Sequence, residues 1–298
     1  MVETINASIY DFPTYYDLVF GSDWQAEYRF LRGCFEKHAS RPVRRVFEPA
    51  CGTGRLLIKF AEAGFQVCGN DLNRKAVDFC NARLVRRGYR PTALVGDMAD
   101  FRVKRTYDAA FNMINSFRHL DSDVAAESHL RCMSAALADG GLYVLGLHLL
   151  PTKGESEDRE EWSARRGNLA IISSMRSEWI DGRFRNEHLG ITFDVYTPTR
   201  HFQIADAMDY RTYTAAQMRR LLARVPEFEI VATYDFAYEL DQPVVINATT
   251  QDVVFVLRKR SVPPSRAGQN GRARQRAYQA HSRPMSRVRA NKRTRRRK

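Results

Sequence analysis

The residues best suited to chemistry surround one glycine turn within residues 46–58. Gly52 and Gly54 follow an apolar segment, and Glu48 precedes Gly52 by four positions. Two glycines at this spacing allow a tight turn and let a ligand lie directly on the backbone. The helix predicted from Arg55 onward would point its free N–H groups at the same turn. The segment is therefore predicted to form a strand, a ligand-binding turn and a helix.

The side chains around the turn restrict the ligand class. A dinucleotide fingerprint would need a third glycine where Leu57 stands, and the Gly-Lys-Ser/Thr of a Walker loop is missing. The acidic Glu48 suits a cationic ligand better than a pyrophosphate. The pattern acidic-x-x-x-Gly-x-Gly resembles motif I of the class I S-adenosylmethionine-dependent methyltransferases. An ordinary strand-turn-helix of another α/β protein is the alternative.

An acid ends the next predicted strand, residues 65–71. Asp71 stands 19 positions after Gly52. In dinucleotide-binding folds an acid about 20 residues after the glycine turn holds the ribose hydroxyls, and charge-assisted hydrogen bonds of that kind are strong. Asp71 is therefore predicted to bind a ribose. Capping of the following helix is the alternative.

Two later segments extend the resemblance. Gly96-Asp97-Met98 follows the third predicted strand, and Gly140-Gly141 precedes an apolar strand. In this family an aspartate in the place of Asp97 contacts the adenine amino group, and the next backbone N–H, here of Met98, meets a ring nitrogen. A loop aspartate is the alternative. Four features in order over residues 43–150 imply an S-adenosylmethionine-binding α/β core with a doubly wound, mostly parallel, seven-stranded sheet.

Polar residues follow the fourth strand. Ligands of open parallel sheets lie outside the carboxyl ends of the strands, so Asn112, Asn115, Ser116 and His119 are expected to face the site. His119 is the histidine best placed to act as a general base, with a structural role as the alternative. His148, at the end of the fifth strand, is a second candidate.

Aromatic residues are concentrated in the first 21 positions. Tyr10, Tyr15 and Tyr16 either staple this segment onto the domain or, as the resemblance implies, form a lid over the ligand. Aromatic faces stabilise a cation such as a sulfonium. The residues expected to act in catalysis are His119, Tyr16 and Asn115. The residues expected to bind the cofactor are Glu48, Ala50, Gly52, Gly54, Asp71, Leu72, Asp97, Met98, Asn112 and Tyr15. No metal site is expected.

The hydrophobic pattern changes after the fifth strand. Residues 151–166 are polar and are predicted to form a loop or flap. Strand-like stretches over 170–180, 184–195 and 200–208 are separated by turn signals, including Asp-Gly at 181–182. They predict an antiparallel insertion, which covers the acceptor in small-molecule methyltransferases. The expected divisions of the chain are an N-terminal lid and helix (1–42), the cofactor core (43–150), the insertion (151–212), a last helix with closing strands (213–260) and a tail (261–298).

Composition fits a single domain with an elaboration. The chain has 298 residues, of which 44% are hydrophobic, and no apolar run reaches the ~18 residues of a membrane span. The N-terminus does not resemble a secretory signal. Five scattered cysteines without a Cys-x-x-Cys pair indicate reduced thiols and a cytoplasmic protein.

The excess of positive over negative charge is confined to the tail. Residues 261–298 hold 13 of the 47 Lys and Arg residues and none of the 34 Asp and Glu residues, which leaves residues 1–260 with 34 of each sign. A segment so poor in apolar residues is predicted to be disordered. It would attract nucleic acid or an acidic partner, or serve only as a solubilising tail.

The acceptor is the least determined feature. Residues 112–115 read Asn-Met-Ile-Asn, which departs from the Asn/Asp/Ser-Pro-Pro-Tyr/Phe of base-amino methyltransferases and offers no Pro-Cys nucleophile. The arrangement resembles small-molecule methyltransferases acting on amines, so N-methylation of a small molecule is expected. An RNA or protein methyltransferase guided by the tail, and a non-catalytic cofactor-binding scaffold, are the alternatives.

Overall fold

A computed structural model describes residues 2–22, 24–154 and 159–261. The helices are α1 Pro13–Gly21, α2 Gln25–His38, α3 Arg55–Glu62, α4 Arg74–Arg86, α5 Asp123–Ala136 and α6 Ala215–Ala223. The strands are β1 Glu3–Asn6, β2 Arg45–Pro49, β3 Gln66–Asp71, β4 Ala93–Val95, β5 Tyr107–Asn112, β6 Leu137–His148, β7 Arg159–Arg166, β8 Leu169–Asp181, β9 Asn186–Tyr196, β10 His201–Arg211, β11 Phe228–Tyr234 and β12 Asp252–Lys259. Short 3₁₀ helices span Ile9–Asp11 and Ser116–His119.

A seven-stranded sheet forms the core in the order β11-β12-β6-β5-β2-β3-β4. Its strands run parallel except β12, which is antiparallel to both neighbours. The central strand β5 is buried along its whole length, as expected where helices cover both faces of a parallel sheet. The predicted doubly wound, mostly parallel sheet is confirmed.

A second sheet has five strands in the order β1-β10-β9-β8-β7. Strands β7 to β10 follow β6 in the chain and pair antiparallel, which confirms the predicted antiparallel insertion. Strand β1 adds to β10 in parallel. Helix α1 packs against the inner face of this sheet, with Leu18 and Val19 in one apolar cluster with Phe193 and Ile204.

The structure differs from the sequence prediction over residues 151–166. Residues 159–166 form strand β7, where a loop was predicted. Strand β7 lies at the edge of its sheet and buries chiefly Trp162 and Ala164, and five of its other six positions carry charges. An edge strand needs only one apolar face, and two apolar positions were too few to signal a strand.

The tail prediction concerns residues 261–298, and all but Ser261 lie outside the described residues, so its disorder stays a prediction. Among the residues that the structure describes, no helix combines the length and apolarity needed to cross a membrane.

Candidate active site

A cavity of about 900 Å³ opens where the carboxyl ends of the parallel strands face the five-stranded sheet. Eleven of its lining residues were singled out from the sequence: Tyr10, Tyr16, Ala50, Gly52, Asp71, Leu72, Met98, Asn115, Ser116, His119 and His148. Five further sequence candidates do not line it: Tyr15, Glu48, Gly54, Asp97 and Asn112. The fold therefore brings the glycine turn, the acid that ends β3 and the exit of β5 to one cavity.

The backbone of the glycine turn forms part of the cavity wall. Gly52 has φ +51°, and a Cβ built there would meet nothing closer than Cε1 of Tyr16, at 4.0 Å. The neighbouring Ala50 also has a positive φ, of 51°. Space above Gly52 is thus open for a ligand to approach the backbone.

Gly54 is required for a different reason. Its φ is +70°, and a Cβ there would lie 2.3 Å from Sγ of Cys80 on α4. Only glycine fits against that thiol, so the second glycine of the motif lets α3 and α4 pack together. The structure places Gly54 at this helix contact and not at the cavity.

Asp71 fastens the end of β3 to the glycine turn. Its Oδ2 accepts a hydrogen bond from the N–H of Gly52, and its Oδ1 accepts one from the N–H of Asn73, both at 2.8 Å. Burial raises the pKa of Asp71 from its ordinary value, while the two N–H groups oppose that rise. Each oxygen keeps acceptor capacity toward the cavity. The helix cap proper is Asn73, whose Oδ1 accepts from the N–H of Ala76.

Glu48 lies behind the turn in a buried charge cluster. It is 8% exposed, and its Oε2 has no hydrogen-bond partner among the described residues. Burial raises the pKa of Glu48 well above its ordinary value, and the nearby Arg55 guanidinium opposes the rise. Arg55 is itself paired with Glu27 of α2 at 2.5 Å. Glu48 therefore lies beneath the turn without contacting the cavity, and its burial disfavours the charged form.

Leu72 and Met98 supply apolar surface on the same side as Asp71. Leu72 is 71% exposed and Met98 is buried, and both line the cavity. Asp97 turns away, because its Oδ1 accepts from the N–H of Ala99 at 2.7 Å. The backbone at residues 96–98 is held by Asn70, whose Nδ2 donates to the carbonyl of Asp97.

The loop after β5 has an unusual backbone. Ile114 and Asn115 both have positive φ, of 52° and 65°, a conformation that is a clear outlier for a β-branched residue. Oδ1 of Asn115 accepts from the N–H of His148 at 2.8 Å, which ties the ends of β5 and β6 together. Asn112 is 1% exposed and donates to the carbonyl of Pro49, so it links β5 to β2 below the cavity.

His119 forms the centre of the opposite wall. Its Nε2 lies 2.8 Å from the hydroxyl of Tyr10, and its ring meets that of Tyr210 edge-on with centroids 4.8 Å apart. The side chain is exposed toward the cavity, which it lines. Desolvation by the surrounding protein lowers the pKa of His119 to about 4, and the adjacent Arg118 guanidinium adds to the shift. The imidazole is therefore neutral at pH 7, and with its proton on Nδ1 it can accept from Tyr10.

The three tyrosines of the first segment lie in two different environments. Tyr10 and Tyr16 line the cavity with ring centroids 5.4 Å apart, and burial raises the pKa of both hydroxyls. Tyr15 packs instead against Phe12 and Phe202 at the five-stranded sheet. Tyr10 and Tyr16 thus bridge the glycine turn and the insertion.

Sequence reasoning missed the wall formed by the insertion. Glu160, Trp162, Met175, Met208 and Tyr210 line the cavity. Strands β7 and β10 each contribute side chains two positions apart, 160 and 162 on β7 and 208 and 210 on β10, which is the period of one strand face. That period was the available signal, but it does not tell which face looks toward the cofactor turn.

Residues 46–141 match a family described as methyltransferase domain. The chain contains an S-adenosylmethionine-dependent methyltransferase domain of class I. Its cofactor is S-adenosyl-L-methionine. A comparison with curated proteins gave no match.

Solved methyltransferase structures share the fold. A methyltransferase from Clostridium acetobutylicum ATCC 824 matches with a TM-score of 0.68 at 14% identity, covering 84% of this chain and 98% of that one. The sugar N-methyltransferase KedS8 from Streptoalloteichus sp ATCC 53650 gives 0.65 at 19%, covering 85% and 94%. The amino pentose methyltransferase CalS10 from Micromonospora echinaspora, solved with S-adenosylmethionine bound, gives 0.63 at 19%, covering 84% and 98%.

Proposed function

We propose that this methyltransferase transfers the methyl group of S-adenosylmethionine to the amine nitrogen of a small acceptor. The observation that carries the proposal is the single cavity of about 900 Å³. One wall is the glycine turn with Asp71, and the other is an aromatic wall that includes Tyr10, His119 and Tyr210. A cofactor and a small acceptor would meet inside it, shielded from bulk water.

The residues on the first wall fit the cofactor. Asp71 would accept from the ribose hydroxyls with its free acceptor capacity, and the open backbone at Gly52 would carry the methionine portion. Leu72 and Met98 offer apolar surface for the adenine ring. Glu48 would favour the cofactor's cationic end only from beneath the turn, without contact, because burial disfavours its charged form.

The transfer is an in-line displacement in which the amine lone pair attacks the methyl carbon and the sulfur–carbon bond breaks. The bond electrons go to sulfur, and the methylated ammonium later loses a proton to solvent. The cofactor supplies the electrophilic methyl group when bound. The protein contributes alignment, which is worth up to ~7–11 kcal/mol of barrier, and aromatic faces that stabilise positive charge.

His119 suits a positioning role in this scheme. With the pKa of His119 at about 4, the imidazole is a far weaker base than an aliphatic amine. It would instead accept the Tyr10 O–H, which leaves the oxygen of Tyr10 free to accept from the N–H of the acceptor. The acceptor itself must arrive as the neutral amine, because a protonated nitrogen has no lone pair.

The shape of the site favours a small acceptor over a macromolecule. The five-stranded sheet covers the cavity, and Trp162, Met175 and Met208 narrow it with apolar surface. Glu160 is the carboxylate that this sheet places on the cavity wall. The two neighbours named as sugar N-methyltransferase and amino pentose methyltransferase support an amino-sugar type of acceptor.

The proposal is tested with purified full-length protein. S-adenosylmethionine is titrated by calorimetry, and a panel of small amines that includes amino sugars is then screened by mass spectrometry for the gain of one methylene. We expect cofactor binding and methylation of at least one amine. Cofactor binding with transfer only to RNA or protein would overturn the acceptor class.

Two tryptophans of the insertion provide a matched pair of variants for the same assay. Trp162 lines the cavity, whereas Trp179 is 49% exposed and stacks on His188. We expect Trp162→Ala to raise the KM for the amine at least tenfold with cofactor affinity unchanged. Trp179→Ala should leave both constants unchanged. Equal effects of the two changes would show that the insertion does not contribute to acceptor binding.

A further inference from the structure

Arginines cluster at the edge of the seven-stranded sheet opposite the active site. A pocket of about 550 Å³ there is lined by Arg41, Arg44, Arg45, Gln66, Arg105, Thr106 and Asp108. Arg45, Gln66 and Asp108 lie at the amino ends of β2, β3 and β5, whose carboxyl ends form the active site. Strands of five to six residues separate the two edges by about 17–20 Å.

Two of the four guanidinium groups are fixed in place. Nε of Arg41 pairs with Oδ1 of Asp108 at 3.1 Å. Arg45 donates to the carbonyls of Thr106 and Arg105 and lies over the ring of Tyr107, 4.8 Å from its centroid. These contacts hold both planar groups in position before any ligand arrives.

The positive charge of the pocket is poorly compensated. Asp108 is its single carboxylate, and the other oxygen of Asp108 accepts from the backbone N–H groups of Arg44 and Arg45. Within the described part of the chain, the side chains of Arg44 and Arg105 make no ion pair or hydrogen bond. The pocket thus has four cations and one anion, an excess of three positive charges. Residues 1–260 as a whole carry equal numbers of positive and negative charges.

Strand β12 ends at the same edge of the seven-stranded sheet, and a basic segment follows it in the sequence. Strand β12 runs antiparallel to β6 and ends at Lys259. Its cations Arg258 and Lys259 pair with Glu229 and Asp139. Two strand spacings, about 10 Å, separate β12 from β5. Residues 261–298, with 13 cations and no acid, follow directly in the sequence. By its composition this segment, like the pocket, is suited to an anionic partner.

We infer that the arginine pocket binds the phosphate backbone of RNA, which the enzyme holds without methylating it. Guanidinium forks match phosphate oxygens bidentately, and Gln66 and Thr106 add uncharged groups of the kind that contact phosphate and sugar. The pocket presents no free aromatic face for stacking, since Tyr107 is covered by Arg45. Binding is therefore independent of base sequence and driven by charge.

The position of the pocket separates RNA binding from catalysis. RNA on this edge lies a full strand length from the cavity, so it does not compete with the cofactor. Saturating RNA should leave the calorimetric affinity for S-adenosylmethionine unchanged, and the RNA should gain no methyl group. The inference stands apart from the proposed amine acceptor, because its readout is RNA binding and not methyl transfer.

The test measures binding of the full-length protein to a fluorescein-labelled single-stranded 20-nucleotide RNA by anisotropy over a series of KCl concentrations. The variant is Arg44→Gln with Arg105→Gln. Each lost phosphate contact reduces the slope of log K against log[salt] by about 0.7. We expect a slope shallower by about 1.4 and, at 0.1 M salt, an affinity about 25-fold weaker.

A second double variant removes the same charge elsewhere. Arg183 and Arg220 are exposed and lie on the β8–β9 turn and on α6. Arg183→Gln with Arg220→Gln should leave the slope unchanged. Because Arg44 and Arg105 support no other side chain, the first variant should fold, which its unchanged cofactor affinity verifies.

Three results would overturn the inference. The first is an equal slope for the two double variants, which would assign RNA binding to the tail alone. The second is no RNA binding by the wild type but binding of labelled polyglutamate, which would assign the pocket to an acidic protein. The third is methylation of the RNA, which would make it a substrate.

Discussion

Asp17 and Thr53 connect the N-terminal helix to the glycine turn, since the hydroxyl of Thr53 donates to Oδ1 of Asp17 over 3.1 Å. Asp17 is 2% exposed. Its carboxylate also pairs with Arg83 of α4 and, at 3.4 Å, with Arg166 of β7. One buried acid thus joins helix α1, the turn, helix α4 and the insertion.

Replacement of this acid should destabilise the whole domain. Asp17→Ala leaves the side chain of Arg83, 13% exposed, without its carboxylate. Breaking a buried pair on one side costs about 3–5 kcal/mol of unfolding free energy. Urea unfolding followed by circular dichroism measures the loss. Asp78→Ala, which removes the exposed Arg74–Asp78 pair, should cost less than about 1 kcal/mol, and similar midpoints for the two variants would contradict the prediction.

The two motif glycines should respond differently to alanine. Gly54→Ala places a methyl group 2.3 Å from Sγ of Cys80 at a positive φ, so it should cost about 2–5 kcal/mol of unfolding free energy from crowding and strain. Gly52→Ala meets no close atom and should cost about 1–2 kcal/mol, while weakening S-adenosylmethionine binding at least tenfold in calorimetry.

A double variant separates the two costs at Gly54. Cys80→Ala removes the sulfur that the new methyl group would strike but leaves the positive φ unchanged. In the Gly54→Ala, Cys80→Ala protein we expect the crowding term to disappear and the strain term to remain. Strictly additive costs in the double-mutant cycle would show that the thiol contact does not explain the glycine.

The parts of the site that the sequence predicts are those defined locally. Gly52 and Asp71 lie where a strand meets a turn, so spacing along the chain was enough to place them at one cavity. The contact of Gly54 with Cys80 joins residues 26 positions apart and depends on how two helices pack. Nothing in the motif distinguishes the glycine that faces the cavity from the glycine that faces a helix.

The insertion shows a different limit of prediction from sequence. Its antiparallel strands were predicted from turn signals, yet Trp162 and Tyr210 were not assigned to the site. Long-range packing determines which face of the insertion sheet lies toward the cofactor turn. Here that packing involves α1 and the aromatic cluster around Phe193. The charged strand β7 escaped notice because an edge strand needs few apolar residues.

Removal of His119 distinguishes a positioning role from general base catalysis. If it only orients Tyr10, His119→Ala should lower kcat about tenfold, the worth of one hydrogen bond of about 1.4 kcal/mol, with unchanged cofactor affinity. Tyr10→Phe should have a similar effect, and the double variant should add little. A fall of 10²–10⁴-fold would instead indicate a general base. Steady-state kinetics with the identified amine measure these effects.

Acid should destabilise the domain through a histidine outside the active site. His129 is fully buried, with Nδ1 2.9 Å from the carbonyl of Met98 and Nε2 2.7 Å from the hydroxyl of Tyr143. Burial lowers the pKa of His129 from 6.5 to about 4. The neutral ring donates through Nδ1 and accepts through Nε2, whereas protonation would reverse the second bond and place an uncompensated charge in the core.

The sign of the effect follows from proton binding. Between pH 6.5 and 4 the unfolded chain binds a proton at residue 129 that the folded chain excludes, so the unfolding free energy falls as the pH falls. The loss is about 3 kcal/mol at most. His119 shifts in the same direction, so wild type alone cannot isolate His129. In urea unfolding at pH 7 and 4.5, His129→Gln should lose less stability than the wild type, whereas the exposed His201→Gln should lose the same amount. An unchanged acid loss in His129→Gln would exclude His129 as a source.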